Sequence, residues 1–167
     1  MTYNPKIIKG TEHRDIESLH PEVAIRAIAF IKDANEYLKQ FNITCKIIST
    51  LRTWDEQNAI YAKGRDATGK KIGTTFTNAK AGDSVHNWGC AFDIGLFANG
   101  AYNTPRTQPY YKDIKLVNLA KNYGLKWGGD WNTIKDYPHY EFIGNNNDSQ
   151  FITRAKSGES LDNILKV

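Results

Sequence analysis

The spacing of hydrophobic positions along the chain predicts two amphipathic helices. In residues 21–39 and 111–123, apolar side chains recur every three or four positions and charged side chains occupy the other face, as in helices that cover a core. Pro21 suits the start of the first helix, because its missing N–H needs no partner in the first turn. The predicted inward positions are Ile28, Ile31, Ala34 or Tyr37, and Leu38 in the first helix, and Ile114, Val117, Ala120 and Tyr123 in the second.

Short segments outside these helices have the pattern of strands, either rich in β-branched side chains or alternating in polarity. The predicted strands cover residues 44–50, 90–96, 125–127 and 139–142. Thr53 and Glu56 have the spacing of a capping box, which predicts a further helix over residues 54–63. We therefore expect an α+β fold, in which helices flank a small, mainly antiparallel sheet.

The length of the chain limits its domain organisation. A chain of 167 residues with 40% hydrophobic content is sufficient for one core. Residues 1–144 are predicted to form this domain, and the polar run from residue 145 suggests a linker that leads to a short helix within residues 160–167. Residues 145–167 are not expected to form an independent domain. Residues 64–82 lack any periodicity and predict a long loop, which is usually functional or mobile.

Composition and charge limit the kinds of partner that the protein is expected to bind. Lys and Arg total 22 and Asp and Glu total 18, which gives a net charge of +4 that fits an acidic partner or simply a solvated surface. We expect no nucleic-acid partner, because no Lys/Arg-rich segment or recognition motif is present. Membrane insertion is not expected either, since no run approaches about 20 apolar residues. A monomer is expected.

Features of the N-terminus and the cysteines bear on the compartment. The first ten residues lack the apolar stretch and cleavage site of a secretory signal, so we expect synthesis in the cytoplasm without a signal peptide. Cys45 and Cys90 are the only cysteines. In a reducing compartment they are expected to be buried thiols rather than a disulfide.

Two segments far apart in the chain supply candidate metal ligands. Asp93 lies in an otherwise apolar strand, where a carboxylate needs a cation or a full set of hydrogen bonds. His86 precedes it by seven residues, and His139 begins a later strand. Catalytic zinc takes such nitrogen and oxygen ligands and keeps a fourth position for water. The alternative is that both histidines are ordinary hydrogen-bonded residues, because their spacing is not that of a strong motif such as H-E-x-x-H.

The same segments supply candidates for the remaining catalytic roles. Asp136, three residues before His139, is placed to accept a proton from an attacking water, and Asp130 is the alternative base. Arg52 lies between a strand end and a helix start, where it would hold a fixed positive charge for an oxyanion. On spacing alone, a surface ion pair with a nearby Asp or Glu is the favoured interpretation of Arg52. Together these roles indicate a hydrolase.

Several motifs in a fixed order resemble a known family. The pattern Ser84-x-His86-x-x-Gly89-x-Ala91-x-Asp93, with the later Asp136-x-Pro-His139, is similar to the signature of the zinc peptidases that include D-alanyl-D-alanine dipeptidases and carboxypeptidases. More narrowly, the chain resembles the L-alanyl-D-glutamate peptidases of phage endolysins. This similarity covers roughly residues 19–143, through residues 49–64, 77–82, 127–131 and 138–140 in addition to the signature.

The resemblance implies a fold, a cofactor and a set of roles. The implied fold is that of zinc D-Ala-D-Ala carboxypeptidases, and the implied cofactor is Zn²⁺. The implied metal ligands are His86, Asp93 and His139, the implied catalytic residues are Asp136 and Arg52, and the implied substrate-binding residues are Ser84 and Gln57. The dipeptidase and carboxypeptidase relatives carry Glu as the base, so the aspartate here favours the endolysin branch.

The expected function follows from that branch. We expect a zinc metallopeptidase that hydrolyses the L-alanyl-D-glutamate bond of peptidoglycan stem peptides. It would remain in the host bacterial cytoplasm until it reaches the cell wall and causes lysis. Two alternatives remain at this point: a D,D-carboxypeptidase or dipeptidase of cell-wall turnover, and a zinc-bearing binding module without catalysis.

Overall fold

The computed structural model describes residues 3–5, 13–132 and 134–167. Most of the N-terminal stretch on which the prediction about a signal peptide rests lies outside these residues. The helices are α1 Pro21–Leu38, α2 Trp54–Ala62, α3 Ile114–Asn122, α4 Asp148–Lys156 and α5 Leu161–Ile164. The strands are β1 Ile43–Ser49, β2 Ala91–Ala98, β3 Ala101–Tyr102, β4 Lys126–Trp127 and β5 His139–Glu141.

The strands form one antiparallel sheet with β2 near its centre. The strand order is β1-β2-β5-β4, and the short β3 pairs with the far end of β2. In this register Asp93 of β2 lies opposite His139 of β5 and also opposite Ser49 of β1, just beyond a bulge in β1. The sheet therefore joins segments that are 40 to 50 residues apart in sequence.

Helix α1 supplies one layer of the core. Phe30 packs its ring against the rings of Phe92 and Tyr140, with centroids 6.4 and 4.9 Å away. The buried positions of α1 are Val23, Ala27, Phe30, Ala34 and Leu38. The predicted stripe is therefore wrong at Ile28, which is 55% exposed. The buried row lies beside the predicted one, because a small alanine at every second contact lets α1 approach the sheet closely.

Helix α3 begins later than its apolar pattern suggests. The carboxylate of Asp113 accepts hydrogen bonds from the backbone N–H groups of Lys115 and Leu116, at 2.9 and 3.1 Å, and so caps the helix at Ile114. Residues Gln108–Lys112 form a separate 3₁₀ turn. Ile114 is exposed, contrary to expectation. The helix buries Val117 and Ala120, as predicted, together with Leu116.

The C-terminal residues also pack on the main core. Asn147 and Gln150 form a capping box, each side chain accepting from the other's backbone N–H at 2.9 Å, and α4 follows. Phe151 and Ala155 of α4 and Ile164 beyond them are buried in the same hydrophobic cluster as α1 and β2. The prediction of a linker from residue 145 therefore needs correction, since its polar residues cap a helix. The short helix expected within residues 160–167 is α5.

These elements confirm the predicted class, a single α+β domain built on an antiparallel sheet. Cys45 and Cys90 are buried free thiols, as expected. Within the part of the chain that the structure describes, no helix has the length and apolar character needed to cross a bilayer.

Candidate metal centre and active site

Three side chains meet at the point where β2 and β5 pair. Asp93 and His139 are directly opposed residues of neighbouring antiparallel strands, so their side chains leave the sheet on the same face. His86 lies in the 3₁₀ turn Val85–Trp88, just before β2. His86 Nε2 is 3.2 Å from His139 Nδ1, and each of these atoms is 3.3 Å from Asp93 Oδ1. The sheet register and one turn thus bring the three predicted ligands together.

The spacing of these donor atoms fits a tetrahedral metal ion. With zinc–ligand bonds of about 2.0–2.1 Å, tetrahedral geometry places neighbouring ligand atoms about 3.3 Å apart. The three donor atoms form a nearly equilateral triangle of this size. They also line a cleft of about 880 Å³, which leaves space for water and substrate on the open side.

The outer nitrogen of each imidazole faces a hydrogen-bond acceptor. His86 Nδ1 lies 2.7 Å from the carbonyl oxygen of Thr50, and His139 Nε2 lies 3.0 Å from Glu141 Oε2. An N–H at these outer positions satisfies the acceptors and leaves a lone pair on each inner nitrogen. Two lone pairs and the Asp93 carboxylate then converge on one point, which requires a cation.

The pKa values of the residues around the centre also indicate that a positive charge is needed there. Although burial raises the pKa of Asp93, the neighbouring His86 and His139 hold it well below its usual value. Burial lowers the pKa of His139, but hydrogen bonds to Asp93 and Glu141 outweigh this and raise it to about 10. Although burial raises the pKa of Glu141, its bond to His139 lowers it overall. In the absence of a metal, a proton on His139 therefore supplies the positive charge.

Asp136 lies on the turn that leads into β5. Its backbone N–H donates to the Gly128 carbonyl at 3.2 Å, and its own carbonyl accepts from the His139 N–H at 3.3 Å. A Cβ at position 128 would overlap the Asp136 carbonyl oxygen and press on His139, so the turn requires glycine there. Burial and the nearby Asp93 charge raise the pKa of Asp136. The Asp136 carboxylate lines the cleft beside the three donors.

Arg52 lines the same cleft and is held from both sides. Its backbone N–H donates to the His86 carbonyl at 3.1 Å, and its carbonyl accepts from Asn87 Nδ2 at 2.8 Å. Its Nη1 donates to Gln57 Oε1 at 3.1 Å, while Gln57 Nε2 donates to the Ala79 carbonyl at 2.7 Å. Gln57 is 0% exposed, so its geometry favours holding Arg52 over the direct substrate contact that the resemblance implies.

The other two candidates lie at the edge of the site. Ser84 lines the cleft, immediately before the turn that carries His86. Asp130, the alternative base, also borders the cleft, but its carboxylate is bound to Lys121 Nζ at 2.7 Å and is half exposed. This ion pair favours Asp136 over Asp130 as the group that accepts a proton.

Several cleft residues have no role that the sequence patterns predict. Glu141 lies beside His139, and the ring of Trp131 is tilted against that of His139 with the centroids 4.8 Å apart. Residues 147–149, at the start of α4, form one wall of the cleft. Burial and the nearby Glu141 raise the pKa of Asp148 to about 6. The capping box Asn147-x-x-Gln150 is the sequence signal that would have identified this wall.

Two imidazoles and a carboxylate surround one point, and a second carboxylate and an arginine line the same cleft, which is an arrangement typical of metallopeptidases. Residues 77–142 match the family model described as D-alanyl-D-alanine carboxypeptidase. This segment includes all three donor residues and Asp136.

Two proteins of known description are similar to the chain. It is 36% identical over 105 residues to the peptidoglycan L-alanyl-D-glutamate endopeptidase CwlK of Bacillus subtilis (strain 168), covering 59% of this chain and 60% of that protein. It is 29% identical over 99 residues to the L-alanyl-D-glutamate peptidase of Listeria phage A118, covering 58% of this chain and 29% of that protein. The matched region thus spans less than two thirds of either relative.

A solved structure, that of the LdcB LD-carboxypeptidase, shares the fold. It superposes with a TM-score of 0.53 at 22% identity, covering 90% of this chain and 78% of that one. Over the matched segment the chain therefore resembles this peptidase family, as the motifs predicted.

Proposed function

We propose that this protein is a zinc-dependent peptidase that hydrolyses the L-alanyl-D-glutamate bond of peptidoglycan stem peptides. The observation that carries the proposal is the triangle of donor atoms from His86, Asp93 and His139, with edges of 3.2 to 3.3 Å, in a cleft that also contains Asp136 and Arg52.

The residues of the cleft divide the work of hydrolysis. His86, Asp93 and His139 would hold a zinc ion, which would supply Lewis acidity toward the scissile carbonyl and the attacking water. Asp136 accepts a proton as the water oxygen adds to the L-alanyl carbonyl carbon, and returns it to the D-glutamyl nitrogen as the C–N bond breaks. Arg52 lies where its positive charge stabilises the oxyanion. A raised pKa makes Asp136 a stronger base than an ordinary aspartate.

The proposal that the L-alanyl-D-glutamate bond is cleaved rests on the two similar proteins and on the identity of the base. Both similar proteins are described as acting on L-alanyl-D-glutamate, one as an endopeptidase. Aspartate at position 136 is the base that the resemblance associates with this branch. The net charge of +4 suits an anionic wall polymer.

Digestion of purified sacculi tests the proposal directly. The protein is incubated with sacculi with and without a chelator, and the new termini are identified by mass spectrometry. We expect new N-terminal D-glutamate in the untreated reaction only, with Asp136→Asn as a folded control that releases far less. Product formation that is indifferent to metal removal would contradict the zinc centre.

The description of the matching family supports a second candidate, a D,D-carboxypeptidase. In the same digestion this activity would release free D-alanine and leave the L-alanyl-D-glutamate bond intact. A binding module without catalysis would retain zinc and sacculi but release neither product. One experiment therefore separates the three functions.

We further propose that the enzyme is phage-encoded and lyses the host cell from within. The similar phage protein supports this setting, whereas the Bacillus protein fits cell-wall turnover. Expression in bacteria with and without a membrane-permeabilising protein tests it. Lysis only when the membrane is opened is the expected result, and efficient lysis without opening would overturn the proposed route.

A further inference from the structure

Glu141 is a buried carboxylate beside the metal centre that the proposed reaction does not use. It lies two residues after His139 on β5, and both side chains leave the same face of the strand. Glu141 is 1% exposed, and its Oε2 lies 3.0 Å from His139 Nε2. A buried carboxylate is expensive to maintain unless it serves a specific partner.

The contacts of Glu141 decide which nitrogen of His139 faces the centre. An imidazole can offer either nitrogen to a metal, and the hydrogen bond made by the other nitrogen determines the choice. Here Nε2 faces Glu141, while Nδ1 lies 3.3 Å from Asp93 and 3.2 Å from His86. Turning the ring over would place carbon atoms where the two nitrogens lie, and so would break both the contact with Glu141 and the donor triangle.

We propose that Glu141 is a positioning residue, which holds His139 in the Nε2–H tautomer with Nδ1 aimed at the metal. The inference rests on the metal centre of the proposed function but not on which peptide bond is cleaved. Glu141 would act only through His139, since it offers no atom to the donor triangle.

A residue of the C-terminal segment lies near Glu141. The Oε1 atom of Glu141 is buried and has no hydrogen-bond partner among the described residues. Asp148, in the first turn of α4, is near enough for Glu141 to raise its pKa, and both residues line the cleft. Asp148 lies outside the matched segment of residues 77–142.

Zinc affinity, measured by competition with a chromophoric chelator, tests the proposal without reference to activity. Glu141→Gln preserves volume and Glu141→Ala removes the acceptor. We expect roughly 10–100-fold weaker zinc binding for Glu141→Ala, the range found for partners of ligating histidines, and a smaller loss for Glu141→Gln. The matched control is Asp83→Asn, which removes a carboxylate from the same cleft that pairs with Lys156 and touches no ligand.

A second measurement keeps the proposal testable if a variant folds poorly. In the zinc-loaded wild-type protein, nitrogen-15 NMR of the histidine rings should show Nε2 of His139 protonated and Nδ1 bound. Coordination through Nε2 would overturn the proposal, as would unchanged zinc affinity in Glu141→Ala. If the wild-type protein bound no zinc, both the proposed metal centre and this inference would be wrong. If the wild-type protein and Glu141→Ala bound zinc with equal affinity, only this inference would be wrong.

Discussion

The two sides of the cleft are built in different ways. On one side, Asp93 and His139 lie on neighbouring strands whose register is fixed by backbone hydrogen bonds, and their side chains are largely buried. On the other side, residues 76–79, 130–132 and 134 lie on connections between the helices and strands. Phe76 and Ile134 present exposed apolar side chains there.

This difference separates chemistry from recognition. A shift of about 1 Å in a metal ligand is costly, and strands resist such shifts better than loops. Loops tolerate changes in sequence and shape, so they suit contacts that adapt to substrate. Changes on the strand side should therefore abolish activity, whereas changes on the loop side should alter substrate binding.

Removing a ligand should have the largest effect. Asp93→Asn keeps the size of the side chain but replaces an anionic ligand with a neutral amide, which is a poor one for zinc. We expect loss of bound metal and a fall in peptidase activity to background, beyond the roughly 10²–10⁴-fold typical of losing a general base. Metal content and product release are measured together. Substantial activity in metal-free Asp93→Asn would exclude the centre from the reaction.

Replacing the proposed base should have the next largest effect. For Asp136→Asn we expect about 10²–10⁴-fold lower kcat/KM, because no group accepts the proton of the attacking water. Zinc affinity should remain close to that of the wild-type protein, since Asp136 is not one of the three donors. Loss of metal in this variant would instead assign Asp136 to the metal shell.

Substitutions of Arg52 and Gln57, which are hydrogen-bonded to each other, should reduce activity less. For Arg52→Ala we expect about 10²–10³-fold lower kcat, as for removal of an oxyanion-stabilising donor. Gln57→Leu should cost less, because it loosens Arg52 without removing its charge. The double variant should resemble Arg52→Ala alone, as expected for coupled residues. Additive losses would indicate that Gln57 acts independently, for example by contacting substrate.

Zinc binding should depend on pH through His139. Its pKa is raised to about 10 in the absence of metal, so at neutral pH a proton must leave before the nitrogen can bind zinc. Apparent affinity should therefore rise about tenfold per pH unit from about pH 7 toward 10, and fall in acid. Calorimetry in buffers with different ionisation enthalpies would count the released proton. A flat profile over this range would mean that His139 is already neutral.

Sequence patterns predict the strand side of the cleft well. Asp93 is conspicuous as a carboxylate in an apolar strand, and the signature that the chain shares with a known family names the ligands in order. The pairing of Asp93 with His139 depends on strand register, which the alternation of residues constrains strongly. For these reasons the convergence of His86, Asp93 and His139 could be predicted from the sequence.

Other features of the fold and the site are not predicted by the sequence patterns, for physical reasons. Which imidazole nitrogen faces Glu141 depends on ring orientation, and no spacing in the sequence encodes it. The exposure of Ile28 depends on how α1 is rotated about its own axis. Apolar residues spaced every three or four positions define that rotation only roughly. Helix α4 is missed because the asparagines before it have the composition of a loop, and only the capping-box spacing of Asn147 and Gln150 marks its start.

The smallest effect is expected on the loop side. Phe76 lines the cleft and is 70% exposed, while Ile72 is 69% exposed on the same connection but does not line the cleft. Phe76→Ala should raise KM several-fold, because a substrate contact worth about 1 kcal/mol corresponds to roughly a fivefold change in affinity. Ile72→Ala, the matched control, should leave KM unchanged, and both should keep stability within about 0.5 kcal/mol. If Phe76→Ala lowered kcat and left KM unchanged, the loop would contribute to the chemical step, and the division between a chemical side and a recognition side would not hold.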